Sequence, residues 1–493
     1  MNSESPAIVS NAAGGYLRSV THSRRFVSAA NATTHSTNIR LCVILIYYFS
    51  LCDFALKFFP LRVAIVLRYL PEVVLYSLVL LLLSQKVRIR SFPLLWPLCA
   101  CAGTMILSGL LNRSSPFDVV DNFRIFFRFA AFAYILWRTN ITPRRIEQLV
   151  NGFLGLTVTE LLIGALQRLG GKPAQDFFSP ALGWESGQTF VWQNPIATSS
   201  VWLNGTFSNN NHFGFFMVIS CILASTMYFT KGSRRYLWIT LASALGVFLS
   251  YSRHSMALMI LGVGLLFFLH RKRLAMSFGV LRTALTGIGI CLLAVLSVAF
   301  SSSLQARVAS GLSLEVLTGD PNENMRLFMT LELAPRFLNT YPYFGQGPVP
   351  PGQAENPDKK SNADGPILKA APDMPGWVTY FLSDVVWLLV LGFYGCAGLV
   401  AFGTVFASMI VTARTVARVG RDPASVNLAH ACVVLVVLFA LSGYFSEEII
   451  ARDVIPIFWT VAGTVMSLAA KPLSLGKGRI WSHSRERSWS LPL

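Results

Sequence analysis

The chain has 493 residues, of which 53% are hydrophobic and 13% charged, and its formal net charge is +18. A soluble chain of this length would hold about three domains, but the apolar residues occur in blocks of about 20, the length that crosses a bilayer of about 30 Å. The composition therefore excludes a soluble multidomain protein and predicts an all-α polytopic integral membrane protein.

Twelve apolar blocks predict twelve transmembrane helices. They lie at about 39–59, 63–84, 93–112, 118–137, 147–167, 212–230, 236–252, 255–269, 283–303, 379–411, 427–446 and 452–470. The polar residues 1–38 predict a disordered cytoplasmic tail. Residues 39–470 form the predicted transmembrane domain, and 471–493 a basic cytoplasmic tail.

The distribution of basic residues predicts the orientation. With the N-terminus inside and twelve alternating spans, 25 of the 41 lysines and arginines lie in cytoplasmic segments and 8 in the short outer loops. This asymmetry follows the positive-inside rule. We therefore expect both termini in the cytoplasm and the lipid bilayer as a partner, and the net charge needs no nucleic-acid partner.

Two long outer segments, 168–211 and 304–378, stand apart from the short loops. Loops of this length are usually functional or disordered. Within the second, Asn324–Thr340 has helical periodicity and predicts an amphipathic helix on the membrane surface or across a cavity mouth. The eight cysteines lie in apolar spans without metal-site spacing, so we predict neither a metal nor another cofactor.

Charged residues inside the fourth predicted span form the first candidate site. Asp121, Arg124 and Arg128 share one helix face, and an arginine at mid-membrane costs about 2.5–3.5 kcal/mol on insertion scales. Two readings stay open. Asp121 and Arg124 can form an ion pair while Arg128 extends to the interface, or Arg128 can line a wet cavity that binds an anion.

Two further polar clusters lie at outer ends of spans. Ser250–Ser255 (SYSRHS) combines hydroxyls with Arg253, which can grip a phosphate bidentately; an ordinary polar turn is the alternative. Gly205–Phe216 (GTFSNNNHFGFF) presents Asn209, Asn211 and His212. These side chains either cap a helix or bind sugar hydroxyls.

At these residues the chain resembles the O-antigen ligase and polymerase-like membrane proteins, bacterial glycosyltransferases that use undecaprenyl-diphosphate-linked glycans. GTFSNNNHFGFF is similar to the family's Gly-Thr-Phe-Gly-Asn-Pro-Asn-His motif before a helix. SYSRHSMALMILGVGLLFF resembles its Ser-Arg-Ser-Arg-Gly segment, with Arg253 at the arginine.

Two later stretches extend the resemblance over about residues 200–410, in the family's order. NENMRLFMTLELAPRFLNTYPYFGQGP is similar to an arginine followed by an aromatic helix and Gly-x-Gly, with Arg326 and Gly345–Pro348 carrying the match. SDVVWLLVLGFYGCAGLVAF resembles the helix His-Asn-x-Tyr-Leu-x₄-Glu-x-Gly-x-x-Gly. Here Asp384 stands at the histidine position, and the glutamate of the pattern is missing.

The resemblance implies metal-free glycosyl transfer at the periplasmic face of the bacterial inner membrane. Arg253 and Arg326, with Arg336 and Arg128, would stabilise the leaving diphosphate. Asp384 would accept the proton of the acceptor hydroxyl, or it caps a helix. Asn209, Asn211 and His212 would bind sugar. The implied partners are an undecaprenyl-diphosphate-linked oligosaccharide and an acceptor glycan.

Because the ligase histidine is replaced, the sequence favours a surface or exopolysaccharide polymerase, for which a chain-length regulator is a candidate partner. A ligase that transfers glycan to lipid A-core is the alternative. A twelve-span transporter is a third reading, although we find no related halves in the chain.

Overall fold

A computed structural model describes residues 36–85, 92–139, 141–180, 203–207, 209–274, 289, 325–348, 385–444 and 450–470. In these residues the regular secondary structure is helical. The helices are α1 (Ser36–Leu56), α2 (Leu61–Ser84), α3 (Leu95–Leu111), α4 (Pro116–Phe127), α5 (Ala130–Arg138), α6 (Pro143–Phe178), α7 (Asn210–Lys231), α8 (Arg234–Leu249), α9 (Arg253–Leu274), α10 (Met325–Thr340), α11 (Val386–Val419), α12 (Pro423–Ser442) and α13 (Ile455–Ala469).

Among the described helices, seven are long and apolar enough to cross a membrane: α1, α2, α6, α7, α9, α11 and α12. Helices α3 and α13 are apolar but shorter. The protein is therefore a helical membrane protein, as predicted. The count of twelve stays a prediction, because 283–303 lies outside the described residues apart from residue 289.

The predicted fourth span, 118–137, consists of two helices. Helix α4 ends with Arg128 as its C-cap, and α5 begins at Ala130. The apolar composition continues through this break, so hydropathy gives no sign of it. By contrast, the helix predicted at Asn324–Thr340 is confirmed by α10, which packs against α11.

Helices α7, α12 and α13 form the centre of the bundle. Every residue from His212 to Tyr228 is buried, and most of α12 and α13 is also buried. Helices that are apolar on all sides occupy such central positions. Gly463 lets α13 approach α5 closely, because a Cβ there would lie 2.4 Å from the Cα of Ala133.

Helix α2 lies at the periphery and contains a proline that the bundle accommodates. Pro71 has no N–H to donate to the carbonyl of Leu67, four residues earlier. The Tyr48 hydroxyl of α1 donates to that carbonyl at 2.7 Å instead. A neighbouring helix thus satisfies the backbone group that the proline leaves open, as apolar surroundings require.

The helix ends meet at two opposite faces of the bundle. At the first, which we call the motif face, Lys57 after α1 donates to the Ser179 carbonyl after α6 at 3.0 Å. Asn210 at the start of α7 donates to the Ser250 carbonyl after α8 at 2.9 Å. The motif face comprises residues 53–57, 178–179, 209–212, 250–253 and 450–454.

We call the opposite end the basic face. There Lys231 at the end of α7 pairs with Glu147 at the start of α6 at 2.9 Å. His270 at the end of α9 contacts Asn427 at the start of α12 at 3.0 Å. Neighbouring helices in this bundle therefore run up and down, which fits alternating membrane crossings.

Candidate functional site

A tight turn over residues 203–207 precedes α7. Gly205 has φ +58°, and a Cβ there would lie 2.2 Å from Glu160 Oε2, so only glycine fits. Glu160 accepts from the Thr206 N–H at 3.0 Å and from the Thr206 hydroxyl at 2.6 Å. Gln167 donates to the Gly205 carbonyl at 2.8 Å and accepts from its N–H at 2.9 Å. Two buried side chains of α6 therefore fix the start of the predicted sugar-binding motif.

The capping interpretation is correct for Asn209. Its side chain accepts from the His212 N–H at 2.8 Å, which makes Asn209 the N-cap of α7. Asn210 is used in the contact with the Ser250 carbonyl. Asn211 is half-buried, and within the described residues its side chain makes no hydrogen bond. Of the two asparagines predicted to bind sugar, Asn209 uses its side chain to cap α7, so Asn211 is the better candidate for a ligand contact.

The segment that starts α7 and the segment that starts α9 contact each other on the motif face. A Cβ on Gly214 would lie 2.7 Å from Ser250 Oγ and 2.8 Å from Ser255 Oγ. Arg253, half-buried, opens α9 directly beside them. The hydroxyls of the segment are already engaged, since Ser252 Oγ bonds to Ser255 Oγ at 2.9 Å. Of the groups in this segment, the guanidinium of Arg253 is the one whose charge is suited to an anion.

Tyr251 lies between these groups with φ +56°. A bulky residue rarely adopts this left-handed conformation, which costs roughly 1–3 kcal/mol and is found mostly at functional sites. The strain fixes the chain direction between α8 and α9, so that Arg253 stands at the helix N-terminus.

A buried cluster of charges lies behind the motif face. Glu72 of α2, 4% exposed, forms ion pairs with three arginines that come from distant parts of the chain. Arg124 Nη1 lies 2.8 Å from Glu72 Oε2, whereas Arg128 Nη1 and Arg452 Nη2 lie 3.3 and 3.6 Å from Oε1. We call these three residues the arginine cluster. Arg124 also pairs with Asp121 at 2.9 Å, as one interpretation of the sequence predicted. The same interpretation was wrong about Arg128, which does not extend to the interface but pairs with Glu72 and has only 11% of its side chain exposed.

Two arginines of the cluster keep a donor that Glu72 does not engage. The buried Nε–H groups of Arg128 and Arg452 have no hydrogen-bond partner in the part of the chain that is described. Buried guanidinium donors are costly unless paired, so the arrangement is suited to an added anion.

Asp453 joins the arginine cluster to the motif face. It follows Arg452 in the chain, and its Oδ2 lies 3.2 Å from His212 Nδ1. The Ser50 hydroxyl donates to the Asp453 carbonyl at 3.1 Å. A carboxylate at Nδ1 favours the proton on that nitrogen and leaves the lone pair on Nε2. His212 is therefore oriented by a carboxylate, an arrangement that suits a proton acceptor.

The Gly-x-Gly segment pairs with a break in α11. Gly395 has φ +63° and interrupts the helix, while Gly345 and Gly347 have φ +66° and +89°. Gly347 N–H donates to the Phe393 carbonyl at 3.1 Å, and Cys396 N–H donates to the Pro342 carbonyl at 2.9 Å. The loop thus supplies the hydrogen bonds that the broken helix lacks, so the two stretches that carried the resemblance lie in direct contact.

Helix α3 completes this junction. The Ser108 hydroxyl donates to the Phe393 carbonyl at 2.7 Å, and Asn112 Nδ2 donates to the Gly345 carbonyl at 3.1 Å. Between them Gln346 is 4% exposed, and neither polar atom of its side chain has a hydrogen-bond partner within the described residues.

The other predicted site residues have different surroundings. Arg336 forms an i,i+4 ion pair with Glu332 at 3.5 Å on α10. Arg326 lies in the first turn of the same helix. Asp384 lies outside the described residues, so its assignment as a base or as a cap stays a prediction.

Sequence reasoning missed Glu72, Glu160, Arg452 and Asp453. The first two were detectable, because each is a lone carboxylate inside an apolar run and such residues are functional or paired by default. Arg452 and Asp453 precede α13 and have no local signal that would link them to α2 or α7.

Within the described residues, no group of three His, Cys, Asp or Glu side chains is arranged to hold a metal ion. Comparison of the whole chain with known protein families gives no match, and none of the curated proteins matches it.

Proposed function

We propose that the protein is a metal-independent glycosyltransferase that transfers a glycan from undecaprenyl diphosphate to an acceptor sugar, acting as a polymerase of a surface or exopolysaccharide. The arginine cluster carries the proposal. It combines buried guanidinium donors that lack a partner within the described residues with a direct link through Asp453 to His212 of the first motif.

In the proposed reaction, the bond between the sugar anomeric carbon and the diphosphate oxygen breaks, and that carbon bonds to the acceptor hydroxyl oxygen. The electron pair of the broken bond leaves with undecaprenyl diphosphate. Arg128 and Arg452, with Arg253 and Arg326, stabilise this anion. Preorganised donors of this kind usually make the largest contribution to catalysis.

The acceptor hydroxyl must lose its proton to a base. His212 is suited to this role because Asp453 lies at Nδ1 and leaves Nε2 as the acceptor. Asp384 remains the base that the sequence suggested. Comparing His212→Gln with Asp384→Asn separates the two, since only the true base should abolish transfer while the protein still binds the lipid-linked donor.

The main test is in vitro polymerisation from a lipid-linked repeat unit. Arg128→Gln and Arg452→Gln should each lower the rate by about 10²–10³, the usual cost of removing one stabilising donor. Arg128→Lys keeps the charge without the planar fork and should recover activity only in part. Arg235→Gln, an exposed arginine on the basic face, is the matched control and should keep full activity.

Normal polymerisation by Arg128→Gln and Arg452→Gln at normal abundance would refute this site. Arg253→Ala and Arg326→Ala test the resemblance-based assignments in the same assay. If these two variants lose activity while Arg128→Gln and Arg452→Gln keep it, the site lies at α9 and α10 instead.

Polymerase and ligase differ in what accumulates when the gene is deleted. Loss of a polymerase leaves single repeat units, whereas loss of a ligase leaves full-length chains on undecaprenyl diphosphate. Long lipid-linked chains in the deletion strain would identify a ligase.

A transporter is the second candidate function, because helix breaks at Gly171 and Gly395 and buried charges also occur in transporters. Release of undecaprenyl diphosphate by the purified protein in the absence of an ion gradient would exclude transport alone.

The proposed setting is the bacterial inner membrane, with twelve spans, both termini cytoplasmic and residues 304–378 periplasmic. The basic face supports this orientation, since it carries Arg138, Arg145, Lys231 and Arg235. A reporter fused at residue 360 should be active in the periplasm. Cytoplasmic activity there would overturn the orientation and the site with it.

A further inference from the structure

The basic face contains a cleft, away from the motif face. This cleft of about 340 Å³ opens between α9, α11 and α12 and is lined by Phe268, Leu269, Arg414, Ala417, Arg418, His430 and Val433. Its lining divides into a basic half and an apolar half.

The basic half comes from two adjacent helices. Arg414 and Arg418 are exposed and lie four residues apart, hence on the same side of α11. Half-buried His430 of α12 completes the group. Like charges at this spacing disfavour each other, and an anion placed between them would relieve this repulsion.

These two arginines differ from basic neighbours on the same face. Lys231 and Arg235 both pair with Glu147, at 2.9 and 3.6 Å. Neither Arg414 nor Arg418 forms an ion pair within the described residues. The positive charge of the cleft is therefore available to a ligand.

The apolar half continues along α9. Phe268 is 52% exposed, and Phe267, Leu261 and Ile260 are also exposed further along the helix. Because α9 is apolar and long enough to span a membrane, this stripe faces acyl chains. A ligand that fits both halves has a negatively charged head and a hydrocarbon tail.

We propose that this cleft binds an anionic phospholipid, with the phosphate between Arg414, Arg418 and His430 and an acyl chain along the exposed stripe of α9. Basic pockets between transmembrane helices recognise anionic headgroups in this way. The proposal is independent of the glycosyltransferase assignment.

The test is native mass spectrometry of the full-length protein incubated with phosphatidylglycerol or with phosphatidylcholine. The wild type should retain phosphatidylglycerol and not phosphatidylcholine. Each basic residue near an anionic lipid contributes roughly fivefold in affinity. The double variant Arg414→Gln/Arg418→Gln should therefore bind phosphatidylglycerol about 25-fold more weakly.

The matched control is Arg144→Gln/Arg421→Gln, which removes two exposed arginines outside the cleft lining. It should bind phosphatidylglycerol like the wild type. If both double variants lose phosphatidylglycerol affinity equally, only the overall charge attracts lipid. If the wild type binds phosphatidylcholine as well as phosphatidylglycerol, the arginines are ordinary interface anchors. Either result overturns the proposal.

A final arm separates the lipid from a soluble anion. Excess inorganic phosphate should not displace phosphatidylglycerol, because phosphate lacks the acyl chain that contacts α9. Complete displacement by phosphate would show that the cleft takes a free anion and would overturn the lipid assignment. Because Arg414 and Arg418 are exposed, their replacement should leave the elution volume in gel filtration unchanged.

Discussion

Replacing Glu72 by glutamine removes the negative charge that faces three arginines while keeping the size of the side chain. Two unit charges about 4 Å apart near a protein surface attract each other by about 4 kcal/mol. The three guanidinium contacts of Glu72 are shorter, at 2.8, 3.3 and 3.6 Å, so each attraction is at least of this size. Most of that attraction offsets the desolvation of the charges. The net loss on breaking a buried pair is about 3–5 kcal/mol.

The assay is unfolding of the purified protein with and without undecaprenyl diphosphate. Glu72→Gln should lower the unfolding free energy by those few kcal/mol, and Glu72→Asp should recover much of the loss. Ligand at about 100 times its Kd adds about 2.7 kcal/mol to any protein that binds it only when folded. The diphosphate should bind Glu72→Gln more tightly than wild type, because Arg128 and Arg452 then lack the carboxylate with which they pair, whereas Arg124 keeps Asp121.

Glu147→Gln is the control. That carboxylate pairs with Lys231 and Arg235 on the opposite face, where it is partly exposed, so its loss should cost at most about 1 kcal/mol. If Glu72→Gln is as stable as wild type, the ion pairs of Glu72 do not stabilise the fold and the prediction is wrong. It also fails if undecaprenyl diphosphate stabilises all three proteins equally, since the anion would then bind elsewhere.

Three further changes test the geometry of the break in α11 and of the start of α7. Gly395→Ala should lower the unfolding free energy by about 1–3 kcal/mol, because its φ is +63° and a Cβ would lie 2.4 Å from the Tyr343 backbone. The control is Gly403→Ala on the same helix, which has open space around it and should be neutral or slightly stabilising in the same denaturation experiment. Asn209→Ala should cost about 0.5–2 kcal/mol through loss of the α7 cap, whereas Asn209→Asp should be silent; equal losses in thermal unfolding would contradict the capping role. Gly205→Ala should destabilise the protein more than Asn209→Ala, because its Cβ would lie 2.2 Å from Glu160 Oε2, and equal melting temperatures would show that the turn can relax.

The membrane class and the approximate positions of most helices could be predicted because an apolar run of about 20 residues is a local signal. The start of α7 was equally local, since Asn209 is a strong helix-capping residue and does cap the helix. Hydropathy could not show the breaks at Arg128 and Gly395, because the residues on both sides of each break remain apolar.

The charge contacts of the candidate site were beyond sequence reasoning for a different reason. Glu72 and Arg452 are 380 positions apart, and only the packing of α2 against the segment before α13 brings them together. Periodicity describes one helix at a time, so it can nominate Arg128 as costly in a membrane without naming its partner. The pairing of residues 342–347 with α11 is likewise invisible until both backbones are positioned.

Because Gly345 and Gly347 dock on α11, the length of the chain between residues 348 and 385 can change without altering how the helices of the bundle pack. The chain leaves this junction after residue 348 and returns at residue 385, eight residues before the Phe393 carbonyl that holds Gly347, or about 12 Å along the helix axis. Hydrogen bonds on either side therefore hold the exit and the return close together, whatever lies between them. Doubling the intervening length would add only about 0.6 kcal/mol of closure entropy. Selection can remodel this segment in length and composition while the helices that hold the buried charges stay unchanged.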